Sequence, residues 1–201
     1  MTTYRLLKRK ELPIDTASLA RFLIGKAVVR ELRQGVVSGR IVETEAYIVG
    51  DAAGHAYRGM TPRNRSLFLE RGHAYVYLAY GTSHMLNVSS ELPGTGAGAL
   101  IRALEPLEGI PIMQSNRGIE RVRDLARGPG RLAAAFRIDG RLDGLDLCRK
   151  GPLWLAHGGD DARVKIGRSI RIGITRDAHR LLRFYLRGSP FVSGPKSLNG
   201  G

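Results

Sequence analysis

Apolar side chains recur along this chain with two different spacings, and each spacing predicts a different kind of element. Residues 17–24 have apolar side chains at helical spacing, Asp15 and Thr16 precede them, and Gly25 follows. A capping residue before such a run and a glycine after it are typical of a helix that begins and ends there. A second short helix is predicted at residues 131–136, directly after a Gly-Pro-Gly segment.

The other apolar runs are short, rich in β-branched residues and separated by glycines, as strands joined by tight turns are. Tyr80-Gly81 lies between two of them and predicts the tip of a hairpin. The predicted strands comprise residues 26–32, 36–48, 74–79, 83–88, 99–104, 169–174 and 182–186. Few helices and hairpin-linked strands predict an α+β fold, with a mixed, mostly antiparallel β-sheet and a few short helices. We expect a single domain over residues 1–201, with its core at about 15–193 and a flexible tail at 194–201.

Side chains alternate between the two faces of the strand that includes residues 40–48. The apolar face is predicted to hold Val42, Ala46 and Ile48, and the other face Glu43, Glu45 and Tyr47. A polar face is as typical of a solvated strand as of a functional site. The pattern alone therefore leaves both interpretations open.

The predicted hairpin carries three tyrosines. Tyr75 and Tyr77 share one face of its first strand, and Tyr80 is at the tip. Asn or Gly would suit such a turn better than a large aromatic residue. Tyr80 is therefore a candidate wedge for stacked bases, because aromatic and apolar side chains that enter a DNA stack kink it in this way. The alternative is that its ring packs beneath a neighbouring loop.

Composition adds a strong positive charge. The chain has 32 Lys and Arg against 18 Asp and Glu, a formal net charge of +14. This balance favours a polyanionic partner such as nucleic acid, although ribosomal and membrane-surface proteins share it. No apolar run approaches the roughly 20 residues that cross a bilayer. The single cysteine, Cys148, and five histidines without metal-ligand spacing provide no candidate metal site.

Several segments, taken together, resemble the alkyladenine (3-methyladenine) DNA glycosylase family. They are RIVETEAY (40–47), His55, TPRN (61–64), YVYLAYG (75–81), MLNVSS (85–90), LIRALEPLEG (100–109) and RFYLRGSP (183–190). These segments follow one another in order between about residues 24 and 193. The resemblance implies an enzyme of base-excision repair that flips an alkylated or deaminated purine out of duplex DNA and hydrolyses its N-glycosidic bond.

The same resemblance implies that Glu45 activates the attacking water and that Arg102 assists it. A buried carboxylate suits this chemistry, because it can deprotonate water and stabilise the oxocarbenium character of the sugar. Glu43 is a second, less favoured candidate. None of the matched positions is a lysine, the amine that a backbone-cleaving glycosylase needs for a Schiff base. We therefore expect a monofunctional enzyme that leaves an abasic site and needs neither a metal nor a redox cofactor.

For the base pocket, the resemblance implies an aromatic slot, a filter against guanine and a plug for the duplex. The matching residues are Tyr47, His55 and Tyr77 for the slot, Asn87 for the filter, Ile172 beside the water and the base, and Tyr80 for the plug. An aromatic slot also favours the positive charge of alkylated purines. The substrate range within these purines stays open.

The charge and the resemblance together predict double-stranded DNA as the partner, bound by a monomer without a membrane. Candidate contacts with the DNA backbone are Arg63, Arg65, Arg131, Arg183 and Arg187. We expect the protein inside the cell with the DNA, in the cytoplasm or nucleoid of a bacterium or in a eukaryotic nucleus. Two rival interpretations are a non-catalytic protein that binds damaged DNA on the same fold, and an RNA-binding or RNA-modifying protein.

Overall fold

The longest strand of the molecule, Gly35–Tyr47, is the strand around which the sheet is built. The computed structural model describes residues 4–158 and 165–199. Its strands are β1 (Ala27–Leu32), β2 (Gly35–Tyr47), β3 (Ala74–Ala79), β4 (Ser83–Ser89), β5 (Gly98–Glu108), β6 (Leu153–Ala156), β7 (Ile166–Ser169) and β8 (Arg183–Leu186). Its α-helices are α1 (Thr16–Leu23), α2 (Ile110–Arg117) and α3 (Pro129–Ala135).

The strands form one sheet in the order β3-β4-β5-β2-β1-β6, and β8 pairs with both β2 and β7. Every pairing between these strands is antiparallel. The predicted α+β class is confirmed. Because β2 pairs with β1, β5 and β8, the polar residues of its second half are enclosed by neighbouring strands instead of facing water.

Local sequence signals position the helices. The Asp15 carboxylate accepts a hydrogen bond from the Ser18 N–H and caps α1, as its place before the apolar run predicts. The helix packs on β2, where the Thr44 hydroxyl donates to the Ala20 carbonyl at 2.8 Å. The helix predicted at 131–136 is α3, which begins two residues earlier, at Pro129 within the Gly-Pro-Gly segment. Sequence analysis missed α2, whose apolar spacing is weak and which lies between Gly109 and Gly118, both in the left-handed conformation.

A bulge in β2 corrects the predicted faces of that strand. The pairing with β5 shifts register around Glu43, so strict alternation fails there. Ala46 packs in the main core as predicted, but Val42 packs in a separate cluster with Ala103 and Tyr185. Val42 therefore does not share the face of Ala46.

One prediction for the C-terminal part of the chain is wrong. The strand predicted at 169–174 ends at Ser169, and residues 170–174 form a loop instead. The flexibility of the tail at 194–201 stays a prediction; its described part has a 3-10 turn at Lys196–Leu198, and the Arg183 guanidinium donates a hydrogen bond to the Asn199 side chain. The last two residues of that tail lie outside the described residues. Strand β6 was not predicted.

The main core lies between the sheet and the helices, with Leu19 and Leu23 of α1 against Ile41 and Ala46 of β2. Each of these four side chains is fully buried, and such burial stabilises the fold by roughly 1.5–3 kcal/mol for each large aliphatic side chain. The core therefore holds β2 rigidly behind the polar face described below. Among the described residues, no helix has the length and apolar character that a membrane crossing requires.

Candidate active site

A cavity of about 490 Å³ opens where the β3-β4 hairpin, the loop after β2 and the loop after β7 approach one another. Its volume is in the range of ligand pockets. The wall includes all the residues predicted for a base pocket and its plug, together with the predicted catalytic arginine: Tyr47, His55, Tyr77, Asn87, Ile172, Tyr80 and Arg102. Segments that are far apart in the sequence thus meet at one site.

The Glu45 carboxylate lies immediately behind this wall and is fully buried. Two residues that line the cavity donate to it, the Ile172 N–H to Oε1 at 2.7 Å and the Tyr47 hydroxyl to Oε2 at 3.0 Å. A third, Arg102, forms an ion pair with it, with Nη1 3.3 Å from Oε2. An ionised carboxylate offers about four lone-pair positions. Oε1 accepts only the bond from Ile172, so a lone-pair position on Oε1 is left for a further donor such as water.

Glu43 lies two residues before Glu45 but has a different environment. Its Oε1 accepts from the Nε atoms of Arg102 (2.9 Å) and Arg183 (2.7 Å) and from the Ser193 hydroxyl (3.0 Å). Its Oε2 accepts from the Ser193 N–H at 2.6 Å. Glu43 and Glu45 are both fully buried, and neither lines the cavity itself. Arg183 and Ser193, which bind Glu43, do not line the cavity either, so Glu43 is the poorer candidate for contact with a substrate.

These environments shift the pKa values of the two carboxyl groups in opposite directions. Burial raises the pKa of Glu45 above its ordinary value, and the opposing effects of Arg102 and the Ile172 N–H are too small to reverse it. Burial acts in the same direction on Glu43, but Arg102 and Arg183 outweigh it and hold the pKa of Glu43 below its ordinary value. Carboxyl groups whose pKa values are driven apart are typical of acid–base sites.

Aromatic rings form one wall of the cavity. His55 contacts Tyr77 with ring centroids 4.4 Å apart, and Tyr75 stacks on Tyr77 at 5.2 Å. The His55 Nδ1 is 2.9 Å from the Tyr75 hydroxyl. Burial, together with Arg63, lowers the pKa of His55, so the imidazole is neutral at pH 7. Because His55 and Tyr77 touch edge to face, with their planes inclined by 65°, a planar ligand cannot pass between them.

Asn87 enters the cavity from β4. Its Nδ2 donates to the Tyr75 carbonyl at 3.1 Å, which fixes the orientation of the amide. In the sheet, Leu100 of β5 lies opposite Asn87 on one side and Glu45 on the other. Directly paired residues point to the same face of a sheet, so this register brings the amide and the carboxylate to one side. Sequence analysis did not single out Leu100, which lines the cavity.

A buried ion pair holds the loop that supplies Ile172. Both terminal nitrogens of Arg171 bind the Asp51 carboxylate, Nη2 at 3.0 Å, and both side chains are fully buried. Arg171 also donates to the Ala46 carbonyl at 3.0 Å, and its guanidinium lies 4.7 Å from the centroid of the Tyr47 ring. The sequence pattern predicts neither residue, because no local signal joins positions that are 120 residues apart.

Tyr80 is at the tip of the β3-β4 hairpin, with 89% of its surface exposed. Tyr80 and Gly81 both have positive φ angles, of 53° and 70°, and the Thr82 N–H donates to the Ala79 carbonyl at 3.1 Å. This is a type I′ turn. A bulky residue rarely adopts positive φ, so the turn holds a costly conformation in which a large ring projects from the surface.

Two of the five arginines predicted to contact phosphates lie beside the cavity. Arg63 lines it and donates to the Leu78 carbonyl at 3.1 Å. Arg131 lines a neighbouring cleft that also includes Tyr80. Arg65 and Arg187 are exposed but line neither space.

The prediction that Arg183 contacts a DNA phosphate is wrong, because its guanidinium lies in the interior and has no surface to offer a phosphate. Besides the bond to Glu43, it donates to the Ser169 hydroxyl, to the carbonyls of Leu198 and Ser193, and to the Asn199 side chain. Its five N–H donors are thus all engaged. Within the described residues, no group of three or more His, Cys, Asp or Glu side chains is arranged to hold a metal ion.

Comparison with known proteins assigns this arrangement to a family. The model for the family described as Methylpurine-DNA glycosylase (MPG) matches residues 10–190. The chain belongs to the methylpurine-DNA glycosylase family. It is therefore a DNA glycosylase, a hydrolase of N-glycosyl bonds with a role in DNA repair, and the predicted family and enzyme class are confirmed. Membership also disfavours the two rival interpretations.

Relatives of this glycosylase match over nearly their whole lengths. A protein of Mesorhizobium japonicum named "Putative 3-methyladenine DNA glycosylase" is 77% identical over 193 residues, which are 96% of this chain and 92% of the relative. Proteins with the same name from Paraburkholderia phytofirmans and Methanoculleus marisnigri are 52% and 43% identical. These matches cover 96% and 89% of this chain and 90% and 94% of the two relatives.

Proposed function

We propose that this glycosylase flips alkylated or deaminated purines, of the 3-methyladenine, 7-methylguanine, hypoxanthine and ethenoadenine class, out of duplex DNA and hydrolyses their N-glycosidic bonds. The observation that carries the proposal is the buried Glu45 carboxylate behind an aromatic cavity, with a lone-pair position free on Oε1. A purine inside a duplex cannot reach such a carboxylate, so the base must be extruded.

The extruded base would stack against the wall that includes His55 and Tyr77, with Tyr47 as a third aromatic residue of the cavity. Alkylated purines that carry positive charge gain cation–π attraction from such rings, and a neutral His55 does not repel them. The Asn87 amide, fixed by its bond to the Tyr75 carbonyl, would oppose the exocyclic amine of guanine. Ile172 would contact the base and the water.

In the reaction, water attacks C1′ of the deoxyribose while the bond between C1′ and the base breaks. The water proton passes to Glu45, the hydroxyl stays on C1′, and the base leaves with the bonding electrons. A carboxylate behind the sugar also stabilises its oxocarbenium character. Because no amine takes part, the product is an abasic site with an intact backbone. Arg102, in contact with Glu45 and with the cavity, would keep the carboxylate in position.

Glu45→Gln tests the proposal, because it preserves shape and removes the base. We expect single-turnover release of hypoxanthine, measured as alkali-labile abasic sites, to fall by about 10²–10⁴-fold, while binding to the lesion duplex persists. Glu120→Gln, at an exposed glutamate outside the cavity, is the matched control and should leave the rate unchanged. Near-normal excision by Glu45→Gln would refute the assignment.

The unmodified enzyme should lose activity in acid. Glu45 acts as a base only when deprotonated, and its pKa is raised above the ordinary value. The rate should therefore rise with pH through that raised pKa and level off above it. A rate that stays constant down to the ordinary range of glutamate, roughly pH 4, would contradict the role of Glu45.

We further propose that a monomer binds the DNA, with Arg63, Arg65, Arg131 and Arg187 as candidates for phosphate contacts.

A further inference from the structure

Arg102 is shared between two buried carboxylates. Its Nε donates to Glu43 Oε1 at 2.9 Å, whereas its Nη1 is 3.3 Å from Glu45 Oε2. The shorter contact, and the one with hydrogen-bond geometry, is the contact with Glu43. Arg102 is thus held mainly by a residue that the proposed reaction does not use.

Glu43 is itself held firmly. Arg183, with all its N–H donors engaged, binds Glu43 from β8, and Ser193 binds it through both its N–H and its hydroxyl. The three side chains Glu43, Arg183 and Arg102 are buried, with 8% or less of each residue exposed. A buried charge stays in place only when it is paired and hydrogen-bonded, and Glu43 meets this condition with two arginines.

We propose that Glu43 is a positioning residue that anchors Arg102 through its Nε and withdraws part of the Arg102 charge from Glu45. Glu45 is then left less neutralised than a carboxylate that has an arginine to itself. A base that keeps more of its proton affinity removes a proton from water more readily. The inference rests on the proposed role of Glu45 as that base.

All charged and titratable groups that face Glu45 enter this balance. Arg102 approaches from β5, Glu43 and Tyr47 from β2, and Tyr77 from β3. Arg183 lies opposite Glu45 in the pairing of β2 with β8, but its guanidinium is bound to Glu43. Tyr47 has a pKa raised by burial and by Glu45, so it remains a neutral donor. Glu43 is the only like charge in this set, and it raises the pKa of Glu45.

Glu43→Gln tests the inference, with a duplex that contains 7-methylguanine as the substrate. That base already carries a positive charge, so the acid limb of the pH–rate profile reports the enzyme and not protonation of the leaving group. Removing the negative charge of Glu43 leaves Arg102 to Glu45 alone, which lowers the pKa of Glu45. We expect the acid limb to move to lower pH by about 1 unit, with a lower plateau because the base is weaker.

Glu43→Asp and Ser193→Ala are the matched controls. The first keeps the charge and shortens the side chain. The second removes the bond from the Ser193 hydroxyl to Glu43 and the longer bond, of 3.5 Å, that this hydroxyl accepts from Arg102, and it changes no charge. Both should keep the acid limb where it is, even if the plateau falls. If Glu43→Gln does not fold, the double variant Glu43→Gln/Arg183→Gln removes one charge of each sign and should show the same downward shift.

An acid limb that does not move, or that moves to higher pH, in a folded Glu43→Gln or double variant would overturn the inference. So would a folded Glu43→Gln protein that binds DNA but is inactive at every pH, since Glu43 would then take part in the reaction itself. Failure of the proposed function looks different, because Glu45→Gln would then remain active. Loss of activity in Glu45→Gln with an unmoved limb in Glu43→Gln rejects only the role of Glu43.

Discussion

Two residues of one type, two positions apart, have different chemistry in this protein. Glu43 binds two arginines and has a lowered pKa, whereas Glu45 shares one arginine and has a raised pKa. The difference comes from what each side chain touches, because burial penalises both charges and only Glu43 has enough opposite charge to outweigh it. Tyr80 is a second example of a residue whose role depends on its surroundings. Its position at an exposed turn makes this tyrosine a candidate plug.

Tyr80→Ser should lower the population of flipped nucleotide, because the side chain that would fill the gap in the duplex is lost. Unstacking and unpairing cost a few kcal/mol, and least for mismatched or damaged bases. Excision should therefore fall most for hypoxanthine in its most stable pair and least in single strands. Single-turnover rates opposite cytosine, opposite thymine and in single strands measure this.

Leu92→Ser is the control for Tyr80→Ser, since it removes an exposed apolar side chain from another loop and should leave all three rates unchanged. Equal slowing of the three substrates by Tyr80→Ser, with no change in the fluorescence of a reporter base, would return Tyr80 to a structural role.

At the scale of elements, the site depends on three segments that the sheet brings together. Strand β2 supplies Glu45, the hairpin supplies Tyr77, and the loop after β7 supplies Ile172. The loop has no strand partner at Ile172 and is held by the ion pair between Arg171 and Asp51 instead. This ion pair fixes the Ile172 N–H that binds Glu45.

Asp51→Ala should break the ion pair between Arg171 and Asp51. Removing one member of a buried ion pair leaves the other charge uncompensated, which costs about 3–5 kcal/mol. The free energy of unfolding, measured by urea denaturation, should fall by that amount. The Ile172 N–H lowers the pKa of Glu45, so a loosened loop should also move the acid limb of excision to higher pH.

Arg141→Ala is the matched control for Asp51→Ala, because it breaks an ion pair with Asp139 in which the arginine is exposed. Its unfolding midpoint should match that of the unmodified protein. An Asp51→Ala protein as stable as Arg141→Ala would show that the ion pair does not hold the loop.

At the scale of the whole molecule, the positive charge has two different uses. Arg102, Arg171 and Arg183 are buried and bind carboxylates, so they add nothing to a DNA-binding surface. The exposed arginines carry the excess. Arg63 and Arg131 each line a space that the exposed Tyr80 also lines, which places positive charge where a duplex would meet the plug.

The logarithm of the affinity for lesion duplex should fall linearly with the logarithm of the salt concentration, because each neutralised phosphate releases counterions. Arg63→Gln or Arg131→Gln should reduce that slope by about 1. Arg33→Gln, in the turn between β1 and β2, which β5 separates from the hairpin in the sheet order, should leave it unchanged. A slope close to zero for the unmodified protein would mean that its charge serves another purpose.

The sequence by itself determined the elements whose signals are local. Asp15 caps α1, Tyr80-Gly81 turns the hairpin, and the alternation of Tyr75 and Tyr77 places both rings on one wall. These signals act over a few residues, where spacing and turn chemistry decide the conformation. The resemblance to a family then placed the candidate pocket residues, all of which line one cavity.

Only the tertiary structure decided which charges are buried and how they pair. Arg102 and Arg183 reach Glu43 across 59 and 140 residues of sequence, and Arg171 reaches Asp51 across 120. Arg183 consequently belongs to the interior and not to a DNA-binding surface, and the bulge in β2 moves Val42 away from the face of Ala46. Local spacing carries no information about such partners, because desolvation and charge pairing depend on whatever the completed fold brings within a few ångströms.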